Sequence, residues 1–480
     1  MKVFTKLFAF CALLCVMTAC PFPKTREVIV TTTDPCNQTH SSARCGCTVE
    51  TTSNIEIKEI GICWGMTNPP TIADNRVISQ YSKTSFTTTL ENLESNKDYY
   101  VCGYAIANDI DGTIYYGDTK SFTTMESPIE VITMQPTEIE YTTARCGIDI
   151  NNNNNLNITK IGICYGKEEM PVHTYDYSNC ACSGYNNVSF TPIIENLEPG
   201  ETYHVRAFAE ANYKCYYGSD MVFTLKKAPE NAFLIGNNKF AYFSPGNLQY
   251  QASTNTWRFA ENQYDIIGVD NKNISETYDG WIDLFGWATS GYYCGNDNYQ
   301  PYHYTSTSPY GPIENHDLTG EYQNCDWGIY NPISNGGNQA GYWRTPTADE
   351  WDYVMNTRAN AKQKRVHCTI NGTNGVMIMP DNSTWPEGIG GNHGNSSFSD
   401  NTYSLSDWET LQNSGAIFFP KAGYRQLKNF YNVGGNYWSS IYSYDSYYDR
   451  YAKSMDFNDY ILTNSNKAVY QGCSVRLVHD

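Results

Sequence analysis

The feature that most constrains this chain is an internal repeat with a period near 100 residues. Ser42-Ala-Arg-Cys-Gly46 returns as Thr143-Ala-Arg-Cys-Gly147, and Ile57-Lys-Glu-Ile-Gly-Ile-Cys-Trp-Gly65 returns as Ile158-Thr-Lys-Ile-Gly-Ile-Cys-Tyr-Gly166. Cys45 and Cys146 are 101 residues apart, as are Cys63 and Cys164. Downstream, Asp98-Tyr-Tyr-Val-Cys-Gly-Tyr-Ala105 matches Thr202-Tyr-His-Val-Arg-Ala-Phe-Ala209. Each copy closes on a Tyr-Gly and a Phe-Thr: Tyr116-Gly117 and Phe122-Thr123, then Tyr217-Gly218 and Phe223-Thr224. A period this long marks a domain rather than one turn of a solenoid. Val101 and Ala105, like Val205 and Ala209, sit in alternating patterns, and Asn, Asp, Gly and Pro punctuate the runs between. Many short strands with frequent turn signals predict a β-sandwich for each copy.

The Leu-Glu-x-x-x-x-Tyr-x-Val pattern, at Leu93 to Val101 and Leu197 to Val205, resembles fibronectin type III and related immunoglobulin-like modules. The wider Cys-Gly … Gly-Ile-Cys-Trp-Gly … Tyr-Tyr-Val pattern is similar to repeats of Bacteroidetes cell-surface lipoproteins. Neither copy holds a plausible catalytic constellation, and the resemblance implies spacers.

After Lys226-Lys-Ala-Pro229 the repeat ends and Trp becomes frequent: nine of the ten Trp follow this point. Isolated Trp at such spacing reads as a set of core anchors. Phe240 to Tyr250 reads as a strand and turn, with Trp257-Arg-Phe259 as its partner. Trp343-Arg-Thr-Pro-Thr-Ala-Asp-Glu-Trp-Asp-Tyr-Val-Met355 carries the clearest helix signal. Thr345 or Thr347 caps, Asp349 and Glu350 complement the N-terminal dipole, and Trp351, Val354 and Met355 share one face. This segment resembles the Arg-Leu-Pro-Thr … Glu-Trp helix of the formylglycine-generating-enzyme fold, a C-type-lectin-like architecture. Gly434 to Ser440 and Gly472 to Val478 resemble its closing strands, and with Tyr242 to Tyr250 they resemble the "major paralogous" domains of Bacteroidetes surface proteins. The expected fold is therefore multidomain: two all-β immunoglobulin/fibronectin III-like sandwiches, residues 34–126 and 127–226, followed by an α+β C-type-lectin-like domain, residues 232–480.

The first twenty residues, MKVFTKLFAFCALLCVMTAC, set a compartment. Lys2 and Lys6 precede the apolar run Leu7 to Met17, which is too short to span a bilayer. The segment resembles a bacterial lipoprotein signal, which implies cleavage after residue 19, lipidation of Cys20, a tether over 20–33 and anchoring at the outer membrane, with display at the cell surface. Excluding Cys11, Cys15 and Cys20 leaves an even set of 14 of the 17 cysteines. Outside the cytoplasm these are structural thiols or disulfides, and Cys45/Cys63 and Cys146/Cys164 are candidates for bridging two sheets.

The formal charge of −18 argues against a nucleic-acid partner, because phosphate affinity comes mainly from Lys and Arg. An enzyme inherited from the formylglycine-generating family needs a late cysteine pair. Here Cys473 has no companion nearer in sequence than Cys368. Lectin-type calcium ligation needs more than Gln300-Pro301-Tyr302, and no cofactor or metal pattern stands out. His303, His316, His367 and His393 are isolated.

The positive signal lies in Tyr437-Trp-Ser-Ser-Ile-Tyr-Ser-Tyr-Asp-Ser-Tyr-Tyr-Asp-Arg-Tyr-Ala-Lys-Ser-Met-Asp-Phe-Asn-Asp-Tyr460, with seven Tyr and four Asp in 24 residues. Val and Leu are absent and Ile occurs once, so the stretch reads as polar and loop-like rather than as a buried strand pair. Tyr supplies a large amphipathic contact at low entropy cost, and Ser and Asn supply adaptable hydrogen bonds. The expected contact surface is Tyr442, Tyr444, Asp445, Tyr447, Tyr448, Tyr451, Asp459 and Tyr460. Its partner is an unidentified protein or glycan, and Arg476 is a support for the closing strand. The stretch also resembles the variable region of lectin-fold proteins diversified by retroelements, which mutate adenines of Asn codons. That resemblance implies that Tyr442, Tyr444, Asp445, Tyr447, Tyr448, Tyr451, Asp459, Tyr460, Asn464, Asn466 and Tyr470 are open to variation, whereas Lys453, Met455 and Gln471 are not. The expected role is non-catalytic adhesion or ligand binding. The rival is a structural fimbrial or surface-layer component.

Overall fold

The computed structural model describes residues 28–51, 55–80, 83–152, 156–183, 189–304, 312, 316–393, 397–444, 450–458 and 460–480. The signal segment, Cys20 and the start of the tether lie outside the described residues. The chain is mostly β, in many small and largely antiparallel sheets. It forms two compact units. One runs to Glu130 and takes in Asn151–Leu156; the other holds Val131–Ile150 and Asn157–Asp480.

In the first unit, strands Val28–Cys36, Ala43–Thr51 and Ser85–Leu90 make one sheet. Asn75–Ile78, Ile57–Gly65, Asp98–Ala107, Ile114–Tyr116 and Lys120–Thr123 make the other. Period-two alternation sends one side of each strand inward. Val28, Val30, Cys45, Cys47 and Val49 from the first sheet meet Ile60, Ile62, Val101 and Ala105 from the second in one core. The first strand begins at Val28 and pairs with Thr51, so residues 28–33 belong to this module and not to the tether.

The second copy repeats the strand order, from Glu130–Thr137 through Ala144–Asn151, Ile158–Gly166, Cys180–Ser183 and Thr202–Ala211 to Lys214–Thr224. The repeated motifs have structural causes. Tyr99 Oη accepts a hydrogen bond from the Glu94 amide at 3.0 Å, and Tyr203 Oη accepts one from the Glu198 amide at 3.1 Å. Each Leu-Glu-x-x-x-x-Tyr pattern thus closes a corner onto itself. Gly117 and Gly218 let the last strand approach the first: a Cβ would come within 2.9 Å of Val30 O and 2.8 Å of Val131 O.

Both cysteine pairs offered as inter-sheet bridges are corrected. Cys45 faces the shared core, whereas Cys63 clusters with Cys102 and Tyr104 in a separate group. Neighbouring Ile62 faces the core, and alternation sends Cys63 the other way. In the second copy Cys164 lies against Cys180, with the sulfurs 3.2 Å apart, rather than against Cys146. No sulfur–sulfur bond joins any two of the 14 cysteines among the described residues.

Between residues 230 and 434 the strands are short. Tyr242 and Phe243 pair with His479 and Val478, so the start of this part meets the chain end. Leu248–Gln251 pairs with Thr256–Phe259 as the sequence suggested. Thr347 caps helix Ala348–Asp352 in a capping box with Glu350, and Trp351, Val354 and Met355 are buried. Seven Trp anchor the interior: Trp257, Trp287, Trp327, Trp343, Trp351, Trp408 and Trp438. Arg476 is fully buried and donates to Gln263 Oε1 at 2.6 Å and Asn247 Oδ1 at 3.3 Å. It holds the closing segment, as expected.

Candidate ligand-binding surface

The described residues of the Tyr-rich stretch are mostly strand rather than loop. Gly435–Tyr444, Arg450–Phe457 and Ile461–Ala468 form a three-stranded antiparallel sheet. The expectation failed because the inward positions are not filled by Val or Leu. Tyr437 and Trp438 are fully buried, and small Ser439, Ala452 and Ser454 fill the remaining space. Aromatic residues also favour strands, and small inward residues let the sheet pack closely against other elements. Tyr437 Oη donates to Pro420 O at 2.8 Å, and the Trp438 indole donates to Phe285 O at 2.7 Å. These bonds satisfy both buried polar tips and tie the strand to neighbouring carbonyls.

The structure places the predicted contact residues in separate locations. Tyr442 is half-buried, with its ring 6.0 Å from that of Trp287, and its amide donates to Asp317 Oδ1 at 2.8 Å. Tyr444 ends its strand opposite Arg450. Tyr451 sits opposite Ser443, while Tyr442 sits opposite Ala452. Directly paired residues share a face and successive residues alternate, so Tyr442 and Tyr451 lie on opposite faces. Tyr460 is 66% exposed in the turn at the other end of the hairpin, roughly 20 Å from Arg450 at the usual strand rise. Tyr460 and Tyr451 therefore do not join Tyr442 in a single patch. Asp445, Tyr447, Tyr448 and Asp459 lie outside the described residues, as does the Tyr444 side chain.

What surrounds Tyr442 was not singled out from sequence. Lys467 pairs with Ala452 and so shares the Tyr442 face. It bonds Asp456 at 3.1 Å and stands 5.6 Å from the centre of the Tyr424 ring. Burial pushes the Asp456 carboxyl up from its ordinary value. Burial also opposes the Lys467 ammonium, but the neighbouring carboxylate outweighs it and the net shift is upward. Tyr424 stacks on Tyr431 across the small hairpin Tyr424–Gln426/Asn429–Tyr431, with ring centres 5.0 Å apart. Lys428, at that hairpin's turn, lies 4.3 Å above the half-exposed ring of Tyr304. Arg450 donates to Pro312 O at 2.7 Å. Tyr424 and Tyr442 thus each pack one side against the apolar core, Tyr424 stacks on Tyr431, and Lys467 and Lys428 stand over the Tyr424 and Tyr304 rings. Such a surface supplies contact area, hydrogen bonds and cation–π recognition. The signal in the sequence was the pair of Tyr flanking Arg425-Gln-Leu-Lys-Asn-Phe430.

Cys473 is fully buried, and burial raises its thiol well above the ordinary range, the reverse of what a reactive thiolate needs. Elsewhere in this unit a shallow cavity of about 350 Å³ is lined by Pro245, Asn335, Gly337, Gln339, Tyr342 and Trp343. Among the described residues no group of three His, Cys, Asp or Glu is placed to hold a metal ion, and no helix is long and apolar enough to cross a membrane.

No family model and no curated protein matches the chain. Among solved structures, the sensor domain of the anti-sigma factor RsgI4 from Pseudobacteroides cellulosolvens is similar at 13% identity. That match covers 21% of this chain and 96% of that one, with a TM-score of 0.16. Domains A168–A170 of titin are similar at 9% identity, covering 42% of this chain and 68% of that one, also with a TM-score of 0.16. Scores this low identify neither a fold nor a function.

Proposed function

We infer that the protein is a lipid-anchored envelope protein that binds a protein or glycan ligand without chemistry. In this reading two fibronectin III-like modules carry a C-type-lectin-like domain away from the membrane. The Tyr corners of both repeats support the first assignment. The meeting of chain start and end, with helix and Trp-rich core, supports the second. The observation that carries the binding role is the cluster of Tyr424, Tyr431 and Tyr304 rings with Lys467 and Lys428 over two of them, beside the sheet that bears Tyr442. Contact groups held on strands are better preorganised than groups on loops. A glycan and protein array probed with the full chain tests it: a saturable hit weakened by Tyr431→Ala supports the surface, and a hit indifferent to that change but lost with Tyr342→Ala moves the site to the cavity.

The anchor has its own test. Cys20→Ala is expected to abolish fatty-acid labelling, and protease treatment of intact cells reads surface display. A diversified surface is compatible with the burial pattern. Asn464 and Asn466 are exposed and Tyr442, Tyr451 and Tyr470 half-buried, while Met455, which adenine mutation of an Asn codon cannot produce, is fully buried. A near-copy of the coding segment for 436–478 beside a reverse transcriptase gene supports this extension; absence of both removes it and leaves the binding reading standing.

A further inference from the structure

Each repeat places its central cysteine between one cysteine and one arginine, and the two repeats do so in opposite senses. In the first, Cys63 lies directly opposite Cys102 on one neighbouring strand and opposite Arg76 on the other. In the second, Cys164 lies opposite Cys180 on one side and opposite Arg206 on the other. Arg206 occupies the strand position of Cys102, and Cys180 that of Arg76, since Val101 and Val205 align and Gly61 and Gly162 fix the register. The partner thiol has changed sides, and in both copies one partner remains.

From this arrangement we propose that each module closes one cross-strand disulfide, Cys63–Cys102 in the first and Cys164–Cys180 in the second. Directly opposed residues of an antiparallel pair have Cα atoms about 4.5 or 5.5 Å apart, inside the span of about 4.4–6.8 Å that a disulfide bridges. The Cys164 and Cys180 sulfurs are already 3.2 Å apart. Cys63 Sγ lies 3.4 Å from Cys102 O, and both residues are buried. Cys45 and Cys146, the other repeated pair, are each buried on a different sheet from these thiols.

Chemistry favours entry at Cys180. It is half-buried rather than enclosed, and contact with the Cys164 thiol holds its own thiol below the ordinary value, with Lys160 adding to the effect. The Cys180 thiolate attacks one sulfur of a disulfide oxidant, RS–SR. A Cys180–S–S–R bond forms, the RS–SR bond breaks, and RS⁻ leaves and takes up a proton. The Cys164 thiolate then attacks the Cys180 sulfur, forming Cys164–S–S–Cys180 and releasing the second RS⁻, which leaves as RSH. Two electrons and two thiol protons pass from the protein to the oxidant. The enclosed Cys63–Cys102 pair follows the same balance while the chain folds, before the module closes over it.

The test is to refold the reduced full chain in a glutathione redox buffer, alkylate free thiols, and map non-reduced peptides by mass spectrometry. The expected result is two linked pairs, Cys63 with Cys102 and Cys164 with Cys180, with Cys45 and Cys146 alkylated. Recovery of these four as alkylated thiols overturns the proposal, as does linkage of Cys164 to Cys182 or Cys215, or of Cys63 to Cys45. Cys180→Ser is expected to leave Cys164 alkylatable and the Cys63–Cys102 link intact, so that misfolding of one module still leaves the other readable. Reductant is expected to lower the melting temperature of the oxidised protein by several degrees. An unchanged melting temperature alongside intact links contradicts a structural role.

Discussion

The strand at the centre of the first repeat and the first strand of the C-terminal sheet solve the same packing problem differently. Ile57–Gly65 turns Ile57, Ile60 and Ile62 into the core, apolar side chains of ordinary strand type. Gly435–Tyr444 buries Tyr437, Trp438, Ser439 and Ser440. The repeat can therefore be copied almost unchanged, because its inward residues have no polar tips to satisfy. The C-terminal strand is tied to one location, because each buried ring has a polar tip that must find its carbonyl. That tie fixes where the strand docks.

The sharpest way to break this contrast is to remove a tied ring. Trp438→Ala deletes a fully buried indole and its bond to Phe285 O and is expected to cost about 3–5 kcal/mol in chemical denaturation. Loss of less than about 1 kcal/mol sinks the claim that this sheet is set by its rings. Of comparable size is Arg358→Ala, which removes the cation at 2.9 Å from the buried Asp381 carboxylate and leaves it the Leu234 amide at 2.7 Å. Breaking such a pair is expected to cost about 3–5 kcal/mol, and restoration by a second change, Asp381→Asn, distinguishes a stranded charge from lost packing.

A third effect depends on pH. Asp283 is fully enclosed, accepting from Ile267 N at 2.9 Å and Asn271 Nδ2 at 2.8 Å, and burial raises its carboxyl to about 6. The folded state thus keeps the proton that the unfolded chain loses near pH 4. Stability from this group is fully present below about pH 4 and falls as pH rises to about 6, by roughly 3 kcal/mol in all. Asp283→Asn is expected to flatten that part of the pH profile of unfolding, and an unchanged slope contradicts the assignment. The smallest effect is at Tyr460, exposed at the far turn. Tyr460→Ala is expected to change stability by no more than about 0.5 kcal/mol and, being distant from Tyr442, to leave ligand binding intact.

The parts of the fold legible in the sequence were those that rest on local chemistry. The repeat showed itself through Gly and Tyr positions that serve corners and close strand approach. Thr347 and Glu350 announced their capping box, and the Trp spacing announced the core. Helix Leu405–Asn413 has a similar capping box from Ser404 and Asp407, yet its weak apolar face, Trp408 and Leu411 alone buried, gave no periodic signal. The sheet character of residues 435–457 was hidden because its buried side is written in Tyr, Trp, Ser and Ala. The division of the predicted Tyr set between two faces and two ends depends on strand register, which composition does not carry. The same holds for the cysteines: their partners follow from which strands pair, and the two repeats make different choices.

The central claim is that the ligand binds at the Tyr and Lys side chains around the Tyr424–Tyr431 stack beside the C-terminal sheet. Its most direct test is titration of an array-identified ligand against the full chain and against Tyr304→Ala/Tyr424→Ala/Tyr431→Ala, with melting temperature measured in parallel. The account predicts at least a tenfold loss of affinity with the melting temperature unchanged within about 2 °C, a shift that corresponds to less than about 1 kcal/mol. Full affinity in the triple variant would contradict it.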